Sequence, residues 1–151
     1  MKLLVVCTGN TCRSPLGEAV LRAEAAARGV PLEVGSAGTG AFDGSPASEG
    51  SYLVALEDGL DLSSHRARSL TRALVDEADV ILTMSRRHLQ RVRDLGGEGK
   101  SWLFSEYAAG GEGGQEIPDP VGLDIAAYRE THARLAELAR GVVARIGGGS
   151  A

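Results

Sequence analysis

The chain has 151 residues, 43% of them hydrophobic and 24% charged, with a formal net charge of −4. That length suits one domain around one sizeable core, and the acidic balance argues against a general nucleic-acid or membrane-surface binder. Two cysteines are too few for a disulfide framework at this length, and the longest apolar stretches fall far short of a membrane span.

The first six residues, MKLLVV, are too short for the core of a signal peptide and precede no small-residue cleavage site, so the expected location is cytoplasmic. Residues 3–6 form a continuous apolar run that reads as a buried strand. Ser14-Pro15 then reads as a helix start, serine as N-cap and proline at the first helical position. The stretch LGEAVLRAEAAAR is rich in helix formers, and Gly29 closes it. Residues 32–34 read as a second strand. Ser45-Pro46 repeats the helix-start signal ahead of ASEGSYLVALED, which runs to Gly59. LTRALVDEA reads as a short helix, DVILTM (79–84) as a third strand, and Ser85 as the cap of a helix over RRHLQRVRDL. SWLF (101–104) reads as the fourth strand and 105–123 as a Gly-rich loop. A last helix begins near Asp124 and fades into IGGGSA.

Strands alternating with helices predict an α/β fold with a parallel sheet and right-handed crossovers. In such sheets ligands bind beyond the carboxyl ends of the strands. The domain is expected over residues 1–146, with a flexible tail at 147–151.

Both cysteines fall in one octapeptide, CTGNTCRS at 7–14, at the end of the first predicted strand. Buried structural cysteines fit poorly beside the polar turn Gly9-Asn10. A zinc site needs about four ligands, and His65, His88 and His132 are scattered along the chain. GGEGKS at 96–101 ends like a nucleotide-binding loop, but Asp94 stands where its first glycine belongs and the stretch follows a helix. No metal and no cofactor are expected.

The pattern Cys-(x)5-Arg-Ser suits a different chemistry. A loop leading into a helix start can wrap backbone N–H groups around one phosphate, here Thr8, Gly9, Asn10, Thr11, Cys12 and Arg13. Arg13 offers a planar fork for two phosphoryl oxygens. Cys7 would lie under the phosphorus, where a helix N-terminus and an arginine favour a thiolate. Ser14 can donate a hydrogen bond to that sulfur. Gly9 lets the backbone turn, and Asn10 tolerates a left-handed conformation. This is the arrangement for covalent phosphoryl transfer through phosphocysteine. A poor leaving group then needs a proton, and Asp119, between Pro118 and Pro120, is the candidate general acid.

Three stretches together, VVCTGNTCRSP near the N-terminus, SAGTGAF at 36–42 and the distant Asp119-Pro120, resemble the low-molecular-weight protein tyrosine phosphatase family across essentially the whole chain. The resemblance implies a four-stranded parallel sheet flanked by helices on both faces, with the phosphate loop after the first strand. It implies Cys7 as nucleophile, Arg13 as phosphate binder, Asp119 as acid and Ser14 as an aid to the thiolate. It further implies that Asn10, Ser36 and His65 form a hydrogen-bonded network behind the loop, and that Cys12 can trap an oxidised Cys7 as a reversible disulfide. Thr11 stands where many tyrosine-specific members carry Ile or Leu and resembles the bacterial protein-arginine phosphatase branch. Val121-Gly122 replace the aromatics that often follow the Asp-Pro pair, whereas Phe42 matches an aromatic pocket wall.

The expectation is therefore a phosphoprotein phosphatase acting on phosphoarginine or phosphotyrosine side chains, with a lean to phosphoarginine and a plain tyrosine phosphatase as the alternative. Its partner is a phosphorylated protein, not nucleic acid or membrane. An arsenate reductase of the same fold would need two further cysteines that this chain lacks. A non-catalytic phosphopeptide-binding module would not need Cys7, Arg13 and Asp119 together.

Overall fold

The computed structural model describes residues 1–111 and 113–148. Its sheet has four parallel strands in the order β2-β1-β3-β4. β1 (Lys2–Cys7) lies between β2 (Glu33–Gly38) and β3 (Val80–Thr83), and β4 (Ser101–Leu103) takes the edge beside β3. Register runs Val5↔Ser36 on one side of β1 and Val6↔Thr83 on the other. The chain leaves β1 toward β2 and later returns to the opposite side as β3. The strand order therefore reverses beside β1, where a doubly wound sheet opens its ligand crevice.

Alternation along β1 serves two cores, one per face. Leu3, Val5 and Cys7 pack with α1 (Arg13–Arg28) and α6 (Ile125–Ile146), while Leu4 and Val6 pack with Val75, Ile81 and Val92. The remaining helices are α2 (Glu49–Glu57), α3 (Arg72–Glu77), α4 (Arg86–Val92), which runs on into a wide turn over Arg93–Gly97, and α5 (Phe104–Ala108). Leu16, Leu21, Leu135 and Val142 are fully buried between the sheet and the long helices. Each such side chain contributes about 1.5–3 kcal/mol relative to exposure.

The expected α/β architecture is present, and several boundaries move. Ser14 is not the cap of α1. The helix already starts at Arg13, its N-cap residue Cys12 makes no side-chain cap, and the Ser14 hydroxyl is engaged elsewhere. A capping side chain at that end would occupy the place the sequence assigns to an anion. Gly29 does close α1, at φ 67°. Ser45-Pro46 does not start α2. Ser48 does, accepting from the Ser51 amide, because its own amide is tied to the Thr11 carbonyl at 2.9 Å. β2 extends beyond residues 32–34 to Gly38, pairing supplied by β1 overriding the weak strand propensity of Gly35-Ser36-Ala37-Gly38. α5 forms inside what reads as the end of a strand and a loop, anchored by the fully buried Phe104. Thr71, Ser85 and Asp124 cap α3, α4 and α6. Part of the expected tail, 149–151, lies outside the described residues.

Candidate active site

Cys7 ends β1, and residues 8–12 curl from there into α1. The curl is held from outside by its carbonyls. Thr39 donates to the Cys7 carbonyl at 3.0 Å, Gly40 to Thr8 at 2.9 Å, Ser48 to Thr11 at 2.9 Å, and the Ser51 hydroxyl to Cys12 at 3.0 Å. Among the described residues, the backbone N–H groups of Thr8, Gly9, Asn10, Thr11 and Cys12 make no backbone hydrogen bond in return. A loop whose acceptors face out and whose donors are free presents a concave set of N–H groups to an anion, at the N-terminus of α1. Gly38 makes this curl possible. A Cβ there would collide with the Thr8 carbonyl and come within 2.9 Å of the Asn10 amide, both rigid backbone.

Asn10 is fully buried and adopts φ 55°, the left-handed conformation expected of it. Its amide nitrogen donates to Ser14 Oγ at 2.8 Å and Ser36 Oγ at 2.9 Å, and its Oδ1 accepts from the Arg68 amide at 2.9 Å. His65 Nε2 lies 2.6 Å from the Asn10 carbonyl. Asn10, Ser36 and His65 thus meet behind the loop. The Ser14 hydroxyl stands 2.9 Å from the Cys7 sulfur; since it accepts from Asn10, its own proton is free for the sulfur.

Arg13 is 5% exposed. It donates to the Ile117 carbonyl at 2.9 Å and approaches Asp119 Oδ2 at 3.5 Å, while its Nε is buried without a hydrogen-bond partner among the described residues. Asp119 reaches this position because the Ile117 amide donates to the Met84 carbonyl at the end of β3, pulling the distant loop across the crevice. The Asp119 side chain remains 40% exposed, and its Oδ1 accepts from the Val121 amide at 3.1 Å. Ser14 meets Cys7, and Arg13, its neighbour in the first turn of α1, meets Asp119, so both pairs stand at the start of that helix. Phe42, 84% exposed, and Val121, 60% exposed, carry no packing duty; Phe42 follows the segment that binds the loop through Thr39 and Gly40.

Sequence reading missed three participants. His88 is buried, with Nε2 2.8 Å from Thr8 Oγ1 and Nδ1 2.9 Å from Ser85 Oγ. Burial above all, then the Arg13 and Arg87 guanidinium groups, lower its pKa to about 4, so it is neutral near pH 7. Ser85 is legible as the cap of α4, which places His88 in its first turn, but nothing local signals Thr8. Tyr128 and Ser48 surround Cys12, whose sulfur lies 3.3 Å from Ser48 Oγ and 3.8 Å from the Tyr128 hydroxyl. Burial, then that neighbouring cysteine, raises the Tyr128 phenol above its ordinary value. Among the described residues no group of three or more metal-ligating side chains gathers, and no helix is long and apolar enough to cross a membrane.

The family model for low molecular weight phosphotyrosine protein phosphatase matches residues 2–149. The chain belongs to that family. Low molecular weight phosphatases similar to it include the protein-tyrosine-phosphatase Wzb of Salmonella typhimurium, 39% identical over 92% of this chain and 89% of the relative. The protein-arginine-phosphatase of Bacillus subtilis is 34% identical over 93% of each. Among solved structures, a serine-for-cysteine mutant of the YwlE arginine phosphatase with a phosphorylated active-site serine superposes with a TM-score of 0.92 at 32% identity. That match covers 97% of this chain and 96% of the other. As a low molecular weight phosphatase, the protein acts on phosphorylated protein.

Proposed function

We propose that the protein hydrolyses phosphorylated side chains through a phosphocysteine on Cys7, with phosphoarginine preferred over phosphotyrosine. The carrying observation is the cradle itself: Cys7 with Ser14 Oγ at 2.9 Å, under a ring of free loop N–H groups, with Arg13 and Asp119 across the mouth. The phosphorylated active-site serine of the YwlE mutant supports a covalent intermediate at the corresponding position.

In the first step the Cys7 thiolate attacks phosphorus and the bond to the leaving nitrogen or oxygen breaks. Asp119 gives its proton to the leaving atom. The loop N–H groups and Arg13, including its unused Nε, take the charge spread over the phosphoryl oxygens. In the second step water attacks the phosphocysteine, Asp119 takes a water proton, and the S–P bond breaks to release inorganic phosphate. The Ser14 hydroxyl stabilises the departing thiolate. No step calls on a metal or a cofactor.

Support for phosphoarginine comes from Thr11 and Val121. The Thr11 hydroxyl lies 3.5 Å from where a Gly9 Cβ would stand and 3.8 Å from the Cys12 sulfur, so it stays against the loop. A small hydroxylated side chain there suits a planar polar guanidinium, whereas isoleucine would offer more apolar surface to a phenyl ring. The exposed Phe42 ring pulls the other way, and relatives of both kinds exist. Rates on phosphoarginine and phosphotyrosine peptides, measured side by side, decide it. The parent is expected to show the higher kcat/KM on phosphoarginine, and Thr11→Ile to move the ratio toward phosphotyrosine by roughly 10–200-fold, the usual range for such a pocket change. A parent that prefers phosphotyrosine with a ratio unmoved by Thr11→Ile leaves a plain tyrosine phosphatase.

Cys12 is proposed to protect the nucleophile. Both cysteines are free thiols in the structure, in one curved loop. Under mild peroxide Cys7 is expected to form a sulfenic acid that condenses with Cys12, with loss of water, to a disulfide that a dithiol reverses. Peptide mapping checks it: Cys7 recovered as sulfinic or sulfonic acid beside a free Cys12 contradicts this role.

A further inference from the structure

We propose that Glu18, one turn into α1, is a positioning residue for the Cys7 nucleophile, acting through Ser36, Asn10 and Ser14. The proposal rests on reading Cys7 as the nucleophile, and it concerns a carboxylate that makes no contact with the phosphate cradle.

The placement of protons gives this network its direction. The Asn10 side-chain nitrogen carries two, and both are given away, to Ser14 Oγ at 2.8 Å and to Ser36 Oγ at 2.9 Å. Each serine oxygen therefore accepts, and each has its own proton to place. Ser14 has the Cys7 sulfur at 2.9 Å. Ser36 has Glu18 Oε1 at 2.6 Å, the short distance of a hydroxyl donating to a carboxylate. The Arg68 side chain donates to the Ser36 carbonyl, so it holds the main chain and leaves that hydroxyl rotor to Glu18. The result is one directed chain, from Asn10 outward through Ser36 to an acceptor-only carboxylate, and through Ser14 to the sulfur. Glu18 keeps the Ser36 lone pairs turned toward Asn10. Asn10, held at both ends, keeps the Ser14 proton on Cys7.

Glu18 is itself held. Its other oxygen pairs with Arg22 at 2.7 Å, and Arg22 donates to the Val34 carbonyl at 2.6 Å, fixing the pair to β2. An exposed (i,i+4) pair of this kind contributes little to stability, but the Glu18 side chain is only 14% exposed, against 58% for Arg22. Its inner oxygen faces the network rather than water. Behind the loop Glu18, Arg22, Ser36, His65 and Arg68 line a cavity of about 700 Å³. Shortening Glu18 opens this space toward Ser36 while leaving Arg22 to receive a small carboxylate.

That geometry supplies the experiment. Glu18→Ala is expected to lower kcat about 5–10-fold with KM little changed, the worth of about one well-placed hydrogen bond in the reacting state. The rate of Cys7 alkylation by iodoacetate at fixed pH should fall in parallel. Sodium acetate or formate should restore much of the rate to Glu18→Ala and none to the parent, and Glu18→Gln, which keeps an acceptor for Ser36, should stay near the parent. The double variant with Ser36→Ala should be no slower than Ser36→Ala alone and should not respond to acetate. If Glu18→Ala does not fold, Glu18→Met, which fills the volume without an acceptor, takes its place in all but the rescue. Parental kcat and alkylation in the Ala or Met variant overturn the proposal, as does a loss that adds to that of Ser36→Ala or, in Glu18→Ala, ignores acetate. Failure of the mechanism itself would look different, as turnover surviving Cys7→Ser.

Discussion

Cys7→Ser is expected to abolish turnover, by at least ~10⁴-fold, while the chain still folds and still binds phosphate or vanadate. The sulfur is buried at the end of β1 and replaced by a smaller atom, so the two cores on either face of that strand are barely disturbed. The cradle also survives, because Asn10, Ser36, Ser48 and Gly40 hold it without the sulfur. What is lost is the proposed nucleophile. A serine hydroxyl is not ionised near neutral pH, and among the described residues no base is hydrogen-bonded to this position: its neighbour Ser14 is another hydroxyl, and the buried His88 is spent on Thr8 and Ser85. Calorimetric titration with vanadate and a phosphate-release assay on the same preparation check both halves. Binding with no turnover fits the mechanism. Turnover comparable to the parent would remove Cys7 from it. Arg13→Ala separates the two roles, since losing the fork should weaken binding and turnover together.

The octapeptide was legible because its requirements are local. A thiol, a turn that only Gly and Asn adopt easily, an arginine and a helix start occupy adjacent positions, and each carries its own signal. Asn10 sits in the expected left-handed conformation for that reason. The strand and helix order was legible too, since apolar runs and caps repeat along the chain. What local pattern could not supply is which distant side chains close around the loop. Ser36 lies in a Gly-flanked stretch too weak to call a strand, and becomes one through pairing with Val5. His88 reads as a helix residue among arginines, yet its partner Thr8 is brought to it by the adjacency of β1 and β3. Ser14 misleads in the opposite sense. It has the composition of a helix cap, and the tertiary network uses its hydroxyl for Cys7 instead.

Asp119→Ala is expected to slow hydrolysis of a substrate with a poor leaving group by ~10²–10⁴-fold, the usual contribution of a positioned general acid. The size of the loss should depend on the leaving group. A phosphoarginine nitrogen or an alkyl or phenolic oxygen departs badly unprotonated, so removing the proton source slows breaking of its bond to phosphorus directly. A strongly activated aryl phosphate departs without a proton, and the same variant should lose far less on it. The fold gives no reason for a general collapse. The Asp119 carboxylate is 40% exposed and bonded to its own loop through Val121, and Arg13 keeps its bond to the Ile117 carbonyl when the carboxylate is gone. Removing the carboxylate also frees the Arg13 fork from a neighbour 3.5 Å away, so phosphate or vanadate should bind the variant at least as tightly as the parent. The two readouts together separate an acid from a structural aspartate. A substrate-dependent rate loss with undiminished anion binding identifies proton donation. Equal losses on the activated and unactivated substrates, or a matching loss of vanadate binding, would show that Asp119 acts by shaping the loop and that the proton comes from elsewhere.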